Sequence, residues 1–478
     1  MSMKPRLEVL RLLFGLFLIP ISYAQIDPGP RAGPANAGGP VEGLGPEEVN
    51  LFWAAKDRFN EVASVSGKIE RGVGLGPTFN GNSCAGCHAQ PSAGGSSPSQ
   101  NSPQVRRLLL RDNHLVLLPQ GNPQVELATL NRVPGGNQVV PPFLTADGPV
   151  RVPRLIRKPD GTPDGSVHNI YSIAGRADAP GCVLPPPNFA QEIASNNVVF
   201  RIPTPTFGGG LIEAVPDAAL VANLYSTAKQ REALGIGGRF NRTVNDGTIT
   251  RFGWKAQNKS LLLFAAESYN VEEGVTNDVF PDERDHTPGC LFNPFPEDTT
   301  KLQLPPGVTY GPSGFASDVV NFAAFMRLLA PPMPVTLSDS AQNGSALFNS
   351  IGCALCHSPT LVTGSSPFKG MSNLAIHPYS DFALHHIGPS LADHISQGLA
   401  AGDEFRTAPL WGVGQRLFFL HDGRASSLLS AIEAHASKNE GCLAIGEACK
   451  SEANAVIAGF NALSASQKQD VLNFLRSL

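Results

Sequence analysis

Two short segments of the chain, residues 84–88 and 353–357, each read C-x-x-C-H. This spacing is typical of covalent attachment of a c-type haem, in which both thiols bond the porphyrin edge and the adjacent histidine binds the iron. One copy could be a redox pair of cysteines followed by an incidental histidine, but two copies favour haem. The sequence therefore predicts two covalently bound haem c groups, attached through Cys84, Cys87, Cys353 and Cys356, with His88 and His357 as the proximal iron ligands.

The first 24 residues have the pattern of an export signal. A basic start precedes an apolar run over residues 12–21, and small residues before the end offer a cleavage site after Ala24. This run is shorter than the ~20 apolar residues that span a bilayer, and no later stretch approaches that length. An uncleaved anchor is the alternative. We expect a periplasmic or secreted protein without a membrane span after cleavage.

Charge and cysteine content agree with this compartment. Loss of the signal removes three basic residues and one acidic residue, so the formal net charge moves from -4 to -6, without a basic cluster for nucleic acid. Four cysteines lie outside the haem motifs, and an even remainder in an oxidising compartment suggests disulfides. Cys442 and Cys449 close a short loop, which leaves Cys182 with Cys290, although three pairings are formally open.

The composition, with 49 Gly, 42 Pro and 16% charged residues, indicates irregular structure around a modest amount of helix. Residues 25–45 are expected to be a disordered tail, followed by a helix from Pro46 with Trp53, Ala54 and Phe59 on its apolar face. Further helices are predicted at 217–233, 258–269, 317–329, 340–351 and 466–478, and short strands at 108–110, 115–118 and 197–200. The Pro-rich segment 330–334 is the best domain boundary. The predicted domains are 46–329, with a large insertion, and 335–478.

A second pattern is repeated in the two halves. Residues 200–208 and 405–412 share a Phe-Arg pair, a proline and an aromatic-Gly pair, with one gap between the alignments. Together with the repeated haem motif, this pattern suggests a duplicated module.

With these motifs, the chain resembles the bacterial di-haem cytochrome c peroxidase superfamily, which includes the di-haem enzyme that matures a tryptophan-derived quinone. The haem motifs, residues 405–410 and Leu420-His421-Asp422-Gly423-Arg424 carry the resemblance, and the segments 210–214 and 252–255 narrow it to the di-haem oxidoreductase branch. The resemblance spans residue 52 to the C-terminus. It implies a mainly α fold of two tandem cytochrome c-like domains, with irregular loops and a few short strands inserted in the first.

In the peroxidase family, a methionine fourteen residues after the His of His-Asp-Gly is the second ligand of the C-terminal haem. The same count from His421 arrives at His435, so the resemblance predicts a bis-histidine haem, of lower potential than a His/Met haem. His435 as a surface helix residue is the alternative. The rival ligands are His385, His386, Met371 and His421, of which His421 is expected to hold a loop together.

The N-terminal haem is then the reaction centre by elimination. The distal histidine of the family has no counterpart at a matching spacing, since His114 and His168 lie in unrelated contexts. Glu213 is the first catalytic candidate, because a carboxylate in an apolar run needs either a function or a partner. A structural role, with Arg201 as its ion-pair partner, has equal weight. Lys255 and Gln257 complete the catalytic set, and Glu267 and Glu272 are weaker alternatives.

The predicted function is electron transfer from an external donor, such as a small cytochrome or a cupredoxin, through the C-terminal haem to an N-terminal haem that reacts with peroxide or oxygen. Trp254 and Trp411 are candidates for a bridge between the haems, with core packing as the alternative. The family also binds calcium, largely through backbone oxygens that leave no trace in the sequence. Two other functions stay open. One is a non-catalytic electron-transfer cytochrome with Lys255 or His168 on the first haem, and the other is a di-haem oxidase acting on a protein or polymer.

Overall fold

The computed structural model describes residues 25–32, 34–99, 123–130, 140–185, 187–293, 296–298, 317–437 and 448–478. Thirteen α-helices occur in this part of the chain: α1 Pro46–Phe59, α2 Cys84–Cys87, α3 Pro123–Leu130, α4 Phe189–Ala194, α5 Gly209–Glu213, α6 Asp217–Ser226, α7 Ala228–Leu234, α8 Leu261–Glu273, α9 Asp318–Leu328, α10 Asp339–Ser350, α11 Leu428–Ala434, α12 Asn454–Ala462 and α13 Ala465–Ser477. The strands are β1 Thr78–Phe79, β2 Val152–Leu155, β3 Tyr171–Ser172, β4 Val198–Arg201, β5 Leu361–Val362, β6 Ala375–Ile376, β7 Leu384–His386 and β8 Glu404–Arg406. They form four two-stranded antiparallel sheets, β1–β3, β2–β4, β5–β6 and β7–β8.

In each half of the chain, the helix before the C-x-x-C-H motif packs against the last helix of that half. In the N-terminal half (residues 46–329), Phe59 of α1 lies 4.5 Å from Phe325 of α9, centroid to centroid. In the C-terminal half (residues 335–478), Phe348 of α10 lies 5.4 Å from Phe474 of α13. Gly344 permits this second crossing, because a Cβ there would lie 1.9 Å from the Asp470 carbonyl oxygen. Both haem motifs therefore follow a helix that is anchored in a core.

The repeated sequence pattern has the same local structure in both halves. Arg201 ends β4 and Arg406 ends β8. Gly208 and Gly412 then adopt φ values of +64° and +72°, and each begins a helical turn. A side chain at Gly208 would collide with the ring of Trp411, 2.4 Å away. The left-handed backbone and this close approach explain why glycine follows the aromatic residue in both copies.

Most helix predictions are confirmed, since α9, α10 and α13 begin and end within two residues of the predicted bounds. The predicted helix 217–233 is divided into α6 and α7 at Thr227. Helix α8 begins at Leu261, later than predicted, because the Ser260 hydroxyl accepts the Leu263 amide at 3.2 Å and Asn258 pairs with Phe252 instead. The strand predicted at 197–200 is β4, and the strands predicted at 108–110 and 115–118 lie outside the described residues.

Helix α1 begins at Pro46, as predicted, but Trp53 is not part of its buried face. Phe52, Ala55 and Phe59 are buried, whereas Trp53 is 47% exposed. One residue step turns a helix by 100°, which takes Trp53 off the face that carries Phe52 and Phe59. The Lys56 ammonium lies 5.0 Å from the indole centroid at the surface.

The segment 25–45 was expected to be disordered, but its described residues pack on the folded chain. Asp27 forms an ion pair with the buried Arg476 of α13, with 2.7 Å between Oδ1 and Nε. The amide of Arg31 donates to the Gly414 carbonyl at 2.8 Å, and that of Val41 donates to Leu328 at 2.8 Å. The disorder prediction fails because Asp27 supplies the partner that a buried guanidinium requires.

A disulfide joins Cys182 to Cys290, as predicted, and both residues are buried in a core cluster of the N-terminal half. Cys449 is also disulfide-bonded, and Cys442 lies outside the described residues. No described helix is long and apolar enough to cross a membrane.

Ion pairs join the two halves, with the cations on residues 201–255 and the carboxylates on residues 381–404. Three of these pairs are buried: Arg201 and Lys255 both contact Asp393, at 2.6 and 3.0 Å, and Arg231 contacts Asp381. Arg239 with Glu404 is the more exposed fourth pair. Buried charges tolerate little separation, so these pairs hold the halves in one relative orientation.

Glu283, a buried carboxylate of the N-terminal half, has no such ion-pair partner among the described residues. Glu283 is 7% exposed, its Oε2 has no hydrogen-bond partner, and burial raises its pKa to about 7. A raised folded-state pKa gives stability that is complete below the unfolded value of 4.5 and is lost as the pH rises to about 7. We expect a loss of up to about 3 kcal/mol over this window, and a flatter profile in Glu283→Gln.

Denaturant unfolding at several pH values between 5 and 8 measures this effect. The exposed Glu433→Gln variant is the control and should keep the wild-type pH dependence. Parallel profiles for the Glu283→Gln variant and the wild type would contradict the prediction.

Candidate haem sites

The first C-x-x-C-H motif forms the short helix α2, followed by a histidine with an assigned tautomer. Cys84 and Cys87 carry free thiols. The His88 ring donates from Nδ1 to the Gly95 carbonyl at 3.2 Å, which directs Nε2 away from this bond. Burial lowers the pKa of His88 to about 4, so the imidazole is neutral at pH 7. Free thiols beside a neutral, oriented imidazole fit haem attachment.

The second motif has the same arrangement around a 3₁₀ turn. Cys353 and Cys356 are free, and His357 donates from Nδ1 to the Tyr379 carbonyl at 2.9 Å. Burial, and then the nearby charge of His435, lowers the pKa of His357 to about 4. A phenylalanine of the preceding helix lies 6.2 Å from the ring, as Phe59 does from His88. Both predicted proximal ligands are therefore held in the same way.

His435, the predicted second ligand of the C-terminal haem, has one ring nitrogen engaged and the other available. It caps the C-terminal end of α11 and donates from Nδ1 to the Ala431 carbonyl at 2.7 Å, which leaves Nε2 available. Burial lowers its pKa as well. The charges of His435 and His385 both contribute to the lowered pKa of His357, after burial.

The rival ligands are engaged elsewhere. His385 contacts Glu452 through Nδ1 at 2.6 Å and Asp381 through Nε2 at 3.0 Å. Burial lowers its pKa, but the neighbouring Cys356 and Asp381 raise it well above the usual value. His386 contacts Asp403 at 2.9 Å. The His421 ring stacks on Phe405 at 4.1 Å, and its carbonyl accepts the Ile202 amide, in line with its predicted role in holding a loop. Met371 is buried in a core cluster that contains residues of both halves.

Cys356, Asp381 and His385 also lie close enough together to hold a metal ion, and in the described residues no other such group of three occurs. The Cys356 thiol belongs to the haem motif, and Arg231 and Glu452 already neutralise the other two side chains. We therefore assign this cluster to the ion-pair network between the halves.

A cavity of about 1150 Å³, including its solvent-open part, lies beside the first haem motif. It is lined by both thiols of the motif and by His88, and polar side chains reach it from β2, β4, α8 and the loop before α8. The cavity-lining polar residues include Arg154, Arg201, Gln257, Glu267, Tyr269, Glu272 and Glu273. The fold thus brings Gln257, Glu267 and Glu272, which the sequence singled out, to one site.

Gln257 is the cavity residue with the clearest unused bonding capacity. Its Oε1 is buried and has no hydrogen-bond partner. Gly253, at φ +85°, allows the amide this position, because a Cβ there would lie 2.2 Å from Oε1. An unpaired buried amide oxygen is costly, so the site fits a hydrogen-bonding ligand in the cavity.

Helix α8 supplies the acidic groups of the cavity. Burial raises the pKa of Glu272 to about 7 and that of Glu273 to about 8, and the Cys84 thiol donates to Glu273 at 3.2 Å. Sequence analysis missed Glu273, Tyr269 and Arg154. Three glutamates on an otherwise apolar helix were the available signal for Glu273, whereas nothing local marked Arg154.

The other two catalytic candidates are structural. Glu213 does not line the cavity: it accepts Arg327 Nε at 2.6 Å and the Leu261 amide at 2.9 Å, at the start of α8. Its partner is thus Arg327 and not Arg201. Lys255 is fully buried, and its Nζ donates to the carbonyls of Ala401 and Gly402 at 2.7 and 2.9 Å, besides pairing with Asp393.

The Glu213→Gln variant is expected to lose about 1–2 kcal/mol of unfolding free energy, because it weakens a partly exposed ion pair and the bond to α8. Its haem spectra and turnover should equal those of the wild type. Thermal unfolding and a peroxide assay measure both effects, and lost turnover at unchanged stability would restore a catalytic role for Glu213.

The two bridging candidates differ in position. Trp254 lines the cavity, donates from Nε1 to the Ile202 carbonyl at 2.8 Å and packs with Phe405 and Phe418 of the C-terminal half. Trp411 lies in a core cluster that contains residues of both halves. His168 pairs with Asp164 at 2.9 Å and does not line the cavity, and His114 lies outside the described residues.

Comparison with known proteins agrees with this geometry. Residues 159–478 match the model of a family described as "Di-haem oxidoreductase, putative peroxidase". The chain belongs to this family. The resemblance inferred from the motifs is confirmed. The match begins after the first C-x-x-C-H segment. Haem attachment at that segment is therefore inferred only from the spacing of its residues and from the geometry of His88.

Solved structures similar to the chain include the crystal structure of a MauG-like protein associated with microbial copper homeostasis. The identity is 20%, over 35% of this chain and 54% of that protein, with a TM-score of 0.24. The chain therefore spans about half the length of that protein. No curated protein matches the sequence.

Proposed function

We propose that this chain is an exported, peroxidase-like di-haem oxidoreductase with two covalently attached c-type haems in tandem modules, residues 46–329 and 335–478. An external donor protein, such as a small cytochrome or a cupredoxin, supplies electrons at the C-terminal site, and peroxide or oxygen is reduced at the N-terminal site. A calcium ion between the modules is part of the proposal through the family resemblance alone.

The difference between the two haem sites carries this proposal. The C-terminal half offers a second imidazole besides His357, that of His435, whose Nδ1 bonds the Ala431 carbonyl and leaves Nε2 available. His88 instead borders a cavity that contains no second histidine and no lysine among its lining residues. Met326 also lines the cavity and belongs to helix α9. This helix packs on the side of His88, since its Phe322 contacts Phe59, and Phe59 contacts the His88 ring. A haem iron with an open position supplies redox chemistry toward peroxide or oxygen.

The cavity side chains have the functions that such chemistry needs. Reduction of peroxide requires a proton for the leaving oxygen and a group that orients the molecule. The free Gln257 Oε1 accepts a hydrogen bond from a bound hydroperoxide. Glu272, whose pKa burial raises to about 7, exchanges a proton near neutral pH. Glu267 provides a second carboxylate at the cavity wall, where it accepts a hydrogen bond from Asn258.

The purely electron-transferring alternative has less support. It needs a protein ligand opposite His88, and the two candidates are engaged away from the cavity: Lys255 with Asp393 and His168 with Asp164. Trp254, between the cavity and aromatic residues of the C-terminal half, is the side chain we assign to the electron path between the sites.

Electron paramagnetic resonance of the oxidised holoprotein tests the proposal. We expect one high-spin and one low-spin ferric signal, with loss of the high-spin signal on addition of peroxide. Two low-spin signals that do not respond to peroxide, even after half-reduction, would leave an electron carrier.

Steady-state turnover then tests the cavity residues. Gln257→Leu and Glu272→Gln are each expected to lower peroxide turnover about 100-fold, because the first removes the hydrogen-bond acceptor for the peroxide and the second removes the proton-exchanging group. Glu213→Gln is the matched control, a carboxylate outside the cavity, and should turn over at the wild-type rate. Equal rates in all variants would contradict the assignment of this cavity.

A further inference from the structure

Two buried arginines at the contact between the halves have no anionic partner. Arg406 is 7% exposed and Arg416 is 8% exposed. The other four buried arginines each pair with a carboxylate: Arg201 with Asp393, Arg231 with Asp381, Arg251 with Asp217 and Arg476 with Asp27. For Arg406 and Arg416 the described residues provide no acidic group within ion-pair distance.

Their contacts are few for groups with five N–H donors each. Arg406 Nε donates to the Gly253 carbonyl at 3.1 Å, and its guanidinium lies 5.8 Å from the Phe382 ring centroid. Arg416 donates from Nη2 to the Pro409 carbonyl at 3.2 Å. Burial lowers the pKa of each to about 10, with the charge of Arg416 adding to the effect on Arg406, so both stay charged at pH 7. Buried, uncompensated charge is strongly unfavourable.

Gln415, beside Arg416, has the same deficit. Its side chain is fully buried, and neither Oε1 nor Nε2 has a hydrogen-bond partner. Its carbonyl accepts the Gln90 side chain at 2.9 Å. Three neighbouring buried groups with free donors are the arrangement expected around a missing anion.

The location of these groups identifies that anion. Arg406 bonds Gly253 and, through its amide, Trp254, and both of these residues line the cavity of the first haem motif. Gln90 follows His88 by two residues. On the other side, the Leu410 amide, next to the Pro409 that binds Arg416, donates to Pro378, which precedes the Tyr379 that holds His357.

We infer that Arg406, Arg416 and Gln415 form a buried carboxylate-binding site that receives haem propionates at the contact between the two halves. The inference rests on haem binding in the proposed function and not on peroxide chemistry. The guanidinium forks and the amide supply donors of the kind that bind carboxylates bidentately. The positive charges favour the ferrous state of the haem whose propionate they hold.

The test compares Arg406→Met and Arg416→Met holoproteins with Arg251→Met, a buried arginine that already has Asp217 as its partner. Redox titration should show at least a tenfold shift toward the ferric state for one haem, which is 59 mV for one electron. The resonance Raman propionate bands of that haem should shift too. Whether the affected haem is the low-spin or the high-spin one shows which of the two haems supplies the bound propionate. Arg251→Met should leave the potentials and bands unchanged.

If the methionine variants fail to fold, Arg406→Lys and Arg416→Lys retain the charge without the planar fork, and their Raman bands should shift at nearly constant potential. Unchanged bands and potentials throughout would overturn the inference. The Gln415→Leu variant is an independent test. A melting temperature lowered by a few degrees supports a ligand bound to the Gln415 amide. A raised melting temperature shows that the buried amide has no ligand. None of these measurements depends on peroxide turnover, so failure of the peroxidase proposal remains distinguishable.

Discussion

The His435→Ala variant is expected to lose the low-spin ferric signal of the C-terminal haem and to lower donor-driven turnover at least 100-fold. His435 keeps Nε2 free, whereas the rival side chains are held by carboxylates or packed in a core. Removal of a residue that only hydrogen-bonds a metal ligand already lowers metal affinity or activity about 10–100-fold, and removal of a ligand should cost more. Electron paramagnetic resonance and a peroxide assay with a reduced donor measure both effects.

His386→Ala is the matched control, since His386 is also half-buried and was also a candidate ligand from the sequence. Its low-spin signal should equal that of the wild type, because His386 faces Asp403. A low-spin signal that survives in His435→Ala and disappears in His386→Ala would reverse the assignment.

The Cys182→Ser/Cys290→Ser double variant is expected to lose about 4–5 kcal/mol of unfolding free energy in the N-terminal half. The two cysteines are 108 residues apart, and the entropy that a crosslink removes from the unfolded chain grows with this loop length. Both side chains also lie in a core cluster, where two serine hydroxyls pack less favourably than a disulfide. Thermal and denaturant unfolding of the oxidised holoproteins measure the difference.

Mild reduction provides the comparison for this variant. Thioether bonds to haem resist thiol reductants, so reduced wild type should approach the stability of the double variant with its haem spectrum intact. Equal stabilities of the oxidised wild type and the double variant would show that the bridge adds nothing to the fold.

Features that depend on neighbouring residues were predictable from the sequence. The spacing of the thiols and the imidazole in both haem motifs is set by adjacent residues of the chain. In each motif the histidine is oriented by a hydrogen bond to a carbonyl. Helix ends followed from short-range capping, as at Pro46 and Ser317. The count from His421 to His435 spans a short segment that ends in a single helix, and His435 as a ligand of the C-terminal haem stays a prediction.

Features that depend on distant partners were decided by the tertiary structure. Glu213 had the pattern of a catalytic carboxylate, but its partner Arg327 lies 114 residues away on the chain. Lys255, two residues before Gln257, turns to Asp393 of the C-terminal half, whereas Gln257 enters the cavity. The sequence by itself was enough to predict which residues attach the haems, since that chemistry is local. Only the tertiary structure decided which charged side chains reach the cavity and which are neutralised at the contact between the halves, because a buried charge takes its partner from any part of the chain.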